Sequence, residues 1–229
     1  MSRRRTTARI AAVATAAALA AGAATVSTGP ASAASASASC ADIDVSYAMG
    51  TQIGLSGPAA DDPFDTLVTA LGSRLGGKTA SYHRLDYPAS LEPWSASVGN
   101  WNLVQHIKTQ AAACPNQKFA FVGYSQGANV VSNSVGVSSL GSLTGAPIVA
   151  VVPSSLEPRV KAIVLYGSPQ RGLPLFKPTT ITGPYQSRTL DDCAVGDPAC
   201  GGGLDPAAHL SYSLSEHSGP AADFIAARV

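Results

Sequence analysis

Residues Phe119 to Val131 read FAFVGYSQGANVV: an apolar run, a serine between two glycines, then a second apolar stretch. An apolar run of this length without polar alternation predicts a strand covered on both faces, and the residues after the serine predict a helix. Strand turning straight into helix belongs to a parallel sheet, because parallel neighbours need a crossover between them. The rest of the chain repeats that alternation. IDVSYA (Ile43–Ala48) predicts a strand. PFDTLVTALGSRLGG predicts a helix with Phe64, Leu67, Val68, Leu71 and Leu75 on one face, and KTASYHRLDYPA a second strand. NWNLVQHIKTQAAAC predicts a helix capped by Asn100, RVKAIVLYGSP a fourth strand and QSRTLDD a short fifth. The expectation is an α/β fold, a three-layer α/β/α sandwich around a mostly parallel sheet, with no obvious lid segment.

The chain opens MSRRRTTAR, with four arginines and no acid, followed by the alanine-rich IAAVATAAALAAGAATV and an Ala31-Ser32-Ala33 site. That order predicts a cleaved secretory leader over residues 1–33, its boundary reaching as far as about 38, and a secreted, extracellular product. Alanine inserts poorly into a bilayer, which argues against a stable membrane anchor. Ser2-Arg3-Arg4 leaves twin-arginine export open beside the general route. Residues 40–229 then form one domain. Without the leader the chain holds 11 Lys and Arg against 14 Asp and Glu, a net charge of about −3, with no basic cluster. Nucleic acid is therefore not an expected partner. Nothing in the sequence speaks for an oligomer, and a monomer is the default.

Cys40, Cys114, Cys193 and Cys200 are an even set in an exported chain, so two disulfides are expected. Three pairings are possible. Cys40 precedes the first strand and Cys114 the third, and parallel strands enter a sheet from one edge. That favours Cys40–Cys114, leaving Cys193–Cys200 to close a short loop around Asp197. No C-x-x-C pair is present and the histidines are scattered, so no metal site is expected.

A strand, G-x-S-x-G and a helix in immediate succession form the setting of a nucleophile elbow, which makes Ser125 a candidate nucleophile. A serine hydroxyl attacks only when a base takes its proton, and that base needs a third group to orient it. In folds with this elbow the acid and then the histidine follow the serine in chain order. Two histidines follow. His209 lies in a loop and His217 in LSEHSGP, expected to be a polar turn near the end; the loop setting favours His209. His83 and His106 come too early and read as structural or solvated. Asp191, Asp192, Asp197 and Asp205 all remain candidate acids, Asp197 marked out by the cysteines around it.

CPNQKFAFVGYSQGA (Cys114–Ala128), CAVGDPAC (Cys193–Cys200), HLSY (His209–Tyr212) and SYAMGTQ after the first strand together resemble the cutinase family. The resemblance spans most of residues 40–229 and is closer to bacterial cutinase-like members. It implies Ser125 as nucleophile, His209 as general base and Asp197 as its orienter. It also implies an oxyanion hole from the backbone N–H groups of Thr51 and Gln126. The implied activity is hydrolysis of carboxylic esters, cutin-type polyester or short-to-medium acyl esters, through an acyl-enzyme with no metal or cofactor. Acetylxylan esterase, phospholipase or acyltransferase activity would use the same scaffold, as would a non-catalytic protein binding lipid or cell-wall material. The insertion SSLGSLTGAPIVAVVPSSLEP is longer than in compact fungal members, and its PIVAVV is expected to be buried. Leu91 and Trp94 are expected on the rim of the site or in the core.

Overall fold

The computed structural model describes residues 40–52, 62–172 and 179–229. The leader expected over residues 1–33 and most of the loop after the first strand lie outside them. Five strands, β1 (Ile43–Ala48), β2 (Ala80–Arg84), β3 (Lys118–Tyr124), β4 (Val160–Tyr166) and β5 (Thr189–Asp192), form one sheet in the order β2-β1-β3-β4-β5. Every neighbouring pair is parallel. The helices are α1 (Pro63–Gly72), α2 (Ser95–Ala113), α3 (Gln126–Ser134), the single turn α4 (Pro206–His209) and α5 (Ser215–Ala226). The chain steps outward from β1 to β2 and crosses back to β3 on the other side of β1. Open parallel sheets bind ligands at such a reversal, outside the carboxyl ends of the strands.

The alternation of β3 sorts the core into two layers. Phe119 and Phe121 pack with Leu103, Ile107 and Val130 beneath α2 and α3, while Ala120 and Val122 face Leu67, Leu71 and Ile225 beneath α1 and α5. Both faces of the sheet are thus covered, as its unalternated apolar strands require. The Cys40–Cys114 bridge joins the segments entering β1 and β3, with a Cα separation of 5.6 Å, and Cys193–Cys200 closes the loop after β5. Among the described residues no helix is long and apolar enough to cross a membrane.

Three local expectations are corrected. α2 starts at Ser95, five residues before Asn100, with Trp94 at its N-cap position and no side-chain cap. Asn100 is fully buried instead, its Oδ1 accepting the N–H groups of Val149 and Ala150 and its Nδ2 bonding Ala150 O and Ser134 Oγ. The start of α2 packs closely on α3: a Cβ on Gly99 would lie 2.7 Å from Val130 Cγ2. LSEHSGP is the entry to α5, with Gly219 and Pro220 inside the helix. Burial of Ala221, Ala222 and Ile225 against α1 outweighs that breaker pair. PIVAVV is buried only at its end: Val152 joins the core, whereas Val149 and Val151 stand about half exposed.

Candidate active site

Ser125 sits at the junction of β3 and α3 with φ 53° and ψ −116°. A non-glycine residue in that region costs of order 1–3 kcal/mol and persists only where its surroundings over-determine it. Here the Ser125 N–H donates to Tyr166 O at the end of β4 (2.8 Å), and its C=O accepts from Ala128 N–H (2.9 Å). The two flanking glycines are required by backbone contact. A Cβ on Gly123 would lie 2.4 Å from Gly127 O, and one on Gly127 would lie 1.9 Å from Ala48 O. The motif is therefore the close approach of a strand, the helix it feeds and the end of β1.

His209, at the end of α4, turns Nε2 toward Ser125 Oγ at 3.0 Å and Nδ1 toward the Asp197 carboxylate at 3.0 and 2.9 Å. An acceptor-only carboxylate requires the proton on Nδ1, which leaves the Nε2 lone pair facing the serine hydroxyl. Asp197 is fully buried in the Cys193–Cys200 loop. Its carboxylate also accepts the Ala199 N–H (2.6 Å) and the Tyr212 hydroxyl (2.6 Å), while its C=O accepts from Gly201 and Gly203. Burial opposes its charge, but the hydrogen bonds from His209, Tyr212 and Ala199 prevail and hold its pKa below the ordinary value.

Tyr212 has a task that its place in HLSY does not announce. Its ring is fully buried, and its oxygen accepts the Ala194 N–H (2.9 Å) while donating to Asp197. A buried tyrosine hydroxyl needs such partners, and that was the available signal. Gly167 was missed as well. At φ 58°, its missing Cβ would lie 2.9 Å from His209 Cε1 and 3.0 Å from Nδ1, so the imidazole occupies the space a side chain would take. Tyr124, beside the serine, donates its hydroxyl to His209 O (2.7 Å).

The wall on the other side of Ser125 is equally constrained. Gln126 is fully buried, its Oε1 accepting from Ser95 Oγ (3.0 Å) and its Nε2 donating to Ser90 O (2.7 Å). The loop Met49–Gln52 leans on this region. Met49 O accepts the Tyr87 hydroxyl, Gln52 N–H donates to Ala89 O (2.6 Å), and a Cβ on Gly50 would lie 3.3 Å from Ser125 Cβ. Thr51 Oγ1 is buried and finds no hydrogen-bond partner among the described residues.

The other candidates are occupied elsewhere. Asp192 bonds His217 Nδ1 (2.8 Å), and Asp205 caps α4 by accepting the Ala207 N–H. Asp191 Oδ1 finds no hydrogen-bond partner among the described residues, with Arg171 4.0 Å away; burial pushes its pKa up to about 6, with Arg171 opposing and Asp192 reinforcing. His106 bonds Asp44 (3.1 Å) and stacks on His83 at 3.7 Å between centroids. Cys193 and Cys200 lie beside Asp197, but their sulfurs are bonded to each other and offer no thiolate to a metal. Of the four acids, only Asp197 reaches His209.

The family model described as Cutinase matches residues 39–229. Over 191 residues the chain is 34% identical to a cutinase of Kineococcus radiotolerans, covering 82% of this chain but only 62% of that longer one. Over 200 residues it is 33% identical to carboxylesterase Culp1 of Mycobacterium tuberculosis, with 82% of each chain covered. Among solved structures, the Trichoderma reesei cutinase in complex with a C11Y4 phosphonate inhibitor superposes with a TM-score of 0.57 at 29% identity, covering 81% of this chain and 75% of that one. The parallel five-stranded sheet, the strained serine at the β3–α3 junction and the matched span of residues lead to one assignment: the chain belongs to the cutinase family.

Proposed function

We propose that the protein is a serine esterase that hydrolyses carboxylic esters through an acyl-enzyme. Ser125 Oγ attacks the carbonyl carbon and its proton passes to His209 Nε2. The tetrahedral intermediate collapses, and the leaving alkoxide takes that proton from the imidazolium. Water then repeats the sequence: His209 accepts its proton, the acyl–Oγ bond breaks, and the proton returns to Ser125. Asp197 holds the imidazole in the required tautomer and stabilises its charged form. The Thr51 and Gln126 backbone N–H groups receive the oxyanion, a contribution of about 3–4 kcal/mol per donor. The supporting observation is the unbroken hydrogen-bonded line Ser125–His209–Asp197–Tyr212. Ser125 and His209 both keep solvent access, which suits soluble short-chain esters without a rate jump at the solubility limit.

The test is hydrolysis of p-nitrophenyl butyrate by the protein and by Ser125→Ala. Loss of at least ~10³-fold is expected in the variant; equal rates would remove the assignment. A series from acetate to palmitate esters, with cutin and acetylated xylan beside it, then selects the acyl group. The same reading has residues 1–33 cleaved on export and the domain 40–229 working outside the cell as a monomer. The intact mass and sedimentation of protein recovered from the medium test both points, and an uncleaved or self-associated product would contradict them.

A further inference from the structure

The chain has two tryptophans, and both stand about half exposed: Trp94 at 52% and Trp101 at 51%. With Ser97, Val98 and Val149 they line one groove of about 300 Å³ along the first two turns of α2. Seven residues of helix separate the two indoles by about 10 Å along its axis. Val149 forms the facing wall, held by Asn100, which accepts its N–H (2.9 Å). The one side-chain hydroxyl in the lining, Ser97 Oγ, already donates to Pro147 O (2.7 Å). The two segments that supply the lining carry no charge: residues 93–105 and 126–156 contain no Asp, Glu, Lys or Arg, and Glu92 stands just outside them, two residues before Trp94. The groove also adjoins the reacting centre, because Ser95, next to Trp94, bonds the side chain of Gln126, the residue after Ser125.

We propose that this groove seats the acyl chains of an aggregated neutral lipid ester and so holds the protein on a lipid surface with Ser125 at the contact edge. The substrate class rests on the esterase reading above. A sugar chain needs hydrogen-bond partners that the lining does not offer. An anionic headgroup or a charged protein needs opposite charge, which residues 93–105 and 126–156 lack. A flat polyester film meets only the rims of a groove, whereas mobile chains enter it. Tryptophan is the side chain suited to such a boundary, with an apolar body and one N–H to leave in the wet layer.

Because these are the only two tryptophans, intrinsic emission reports this groove alone. Ser125→Ala protein titrated with trioctanoylglycerol emulsion particles is expected to shift its emission to shorter wavelength and to float with the particles. Trp94→Phe in that background leaves Trp101 as sole emitter, and the shift is expected to persist. Trp101→Ala is expected to lower the bound fraction on the order of tenfold. With Ser125 intact, Trp101→Ala should leave kcat/KM for p-nitrophenyl butyrate unchanged while slowing hydrolysis of the emulsion. Val149→Asp, which puts a charge in the groove, is expected to do the same.

Emission that does not move on adding particles, while p-nitrophenyl butyrate hydrolysis is normal, overturns the docking site and leaves the esterase reading intact. An emission shift in a protein whose wild type does not hydrolyse soluble esters leaves the docking site and removes the esterase reading. Binding only to phosphatidylglycerol vesicles or only to polyester films overturns the neutral-lipid occupant. So does a concentration-dependent emission shift without lipid, which would assign the groove to a second copy of the chain.

Discussion

Replacing Tyr212 with phenylalanine keeps the buried ring and removes one oxygen, so its effect can be worked from two contacts. The first is the 2.6 Å hydrogen bond to the Asp197 carboxylate; bonds to charged groups contribute about 1.5–3 kcal/mol. The second is the Ala194 N–H, which loses its acceptor at a cost of about 1–3 kcal/mol. With partial relaxation the expected loss is about 3 kcal/mol, or roughly 6–12 °C in Tm for a domain of this size. Asp197 keeps His209 and Ala199, so kcat/KM is expected to fall about three- to tenfold. That is far from the roughly 10⁴-fold loss on removing the function of an orienting acid. The pH dependence gives a second readout. The folded state holds the Asp197 carboxyl below its ordinary value, so the stability it contributes is present above about pH 4 and lost as pH falls through the lower folded value. The gap in Tm between wild type and Tyr212→Phe should therefore be full at neutral pH and narrow in acid. Calorimetry across pH 3–8, with ester hydrolysis measured well below each melting temperature, checks both. An unchanged Tm at pH 7, or a gap that widens in acid, refutes the account of the tyrosine as a stay for the charged carboxylate.

Gly167→Ala places a methyl group within 2.9–3.0 Å of the His209 ring and strains a residue at positive φ. A fall in kcat on the order of 10²-fold is expected from the displaced imidazole, and wild-type turnover in a folded variant would contradict it. Asp191→Asn is expected to stabilise the protein by about 1–3 kcal/mol at pH 8 and not at all at pH 3. The folded state raises this carboxyl to about 6, so its favourable contribution exists below about pH 4 and disappears as pH rises through 6. Denaturant melts at the two pH values test the sign.

Strand identity was legible because burial on both faces writes unbroken apolar runs, as in Phe119–Val122 and Ile163–Tyr166. The Ser125 elbow was legible because the tight backbone contacts of Gly123 and Gly127 leave no other residue type at those positions. The start of α2 and the whole of α5 were not. Both are set by packing across the sequence, Gly99 against Val130 and Ala221 in the layer beneath α1, and no local cap or stripe announces either. Choosing Asp197 among four acids needed the family resemblance, because their separation is a matter of loop geometry. Asp192 and Asp197 both end up beside a histidine, and only one of those histidines faces Ser125. The roles of Tyr212 and Gly167 exist only once distant segments meet.

The two sulfur bridges divide the labour of keeping this protein folded and its site in order. Cys40–Cys114 spans 74 residues at the end of the sheet away from Ser125, and on the chain-entropy estimate it restricts the unfolded state by about 4.5 kcal/mol. Cys193–Cys200 spans only 7, worth about 2.5 kcal/mol on the same estimate, yet it frames the carboxylate that steadies His209. Opening the first shortens the lifetime of an otherwise competent molecule, whereas opening the second slackens the chemistry of one that is still folded. Endurance and turnover are thus answerable to different bonds.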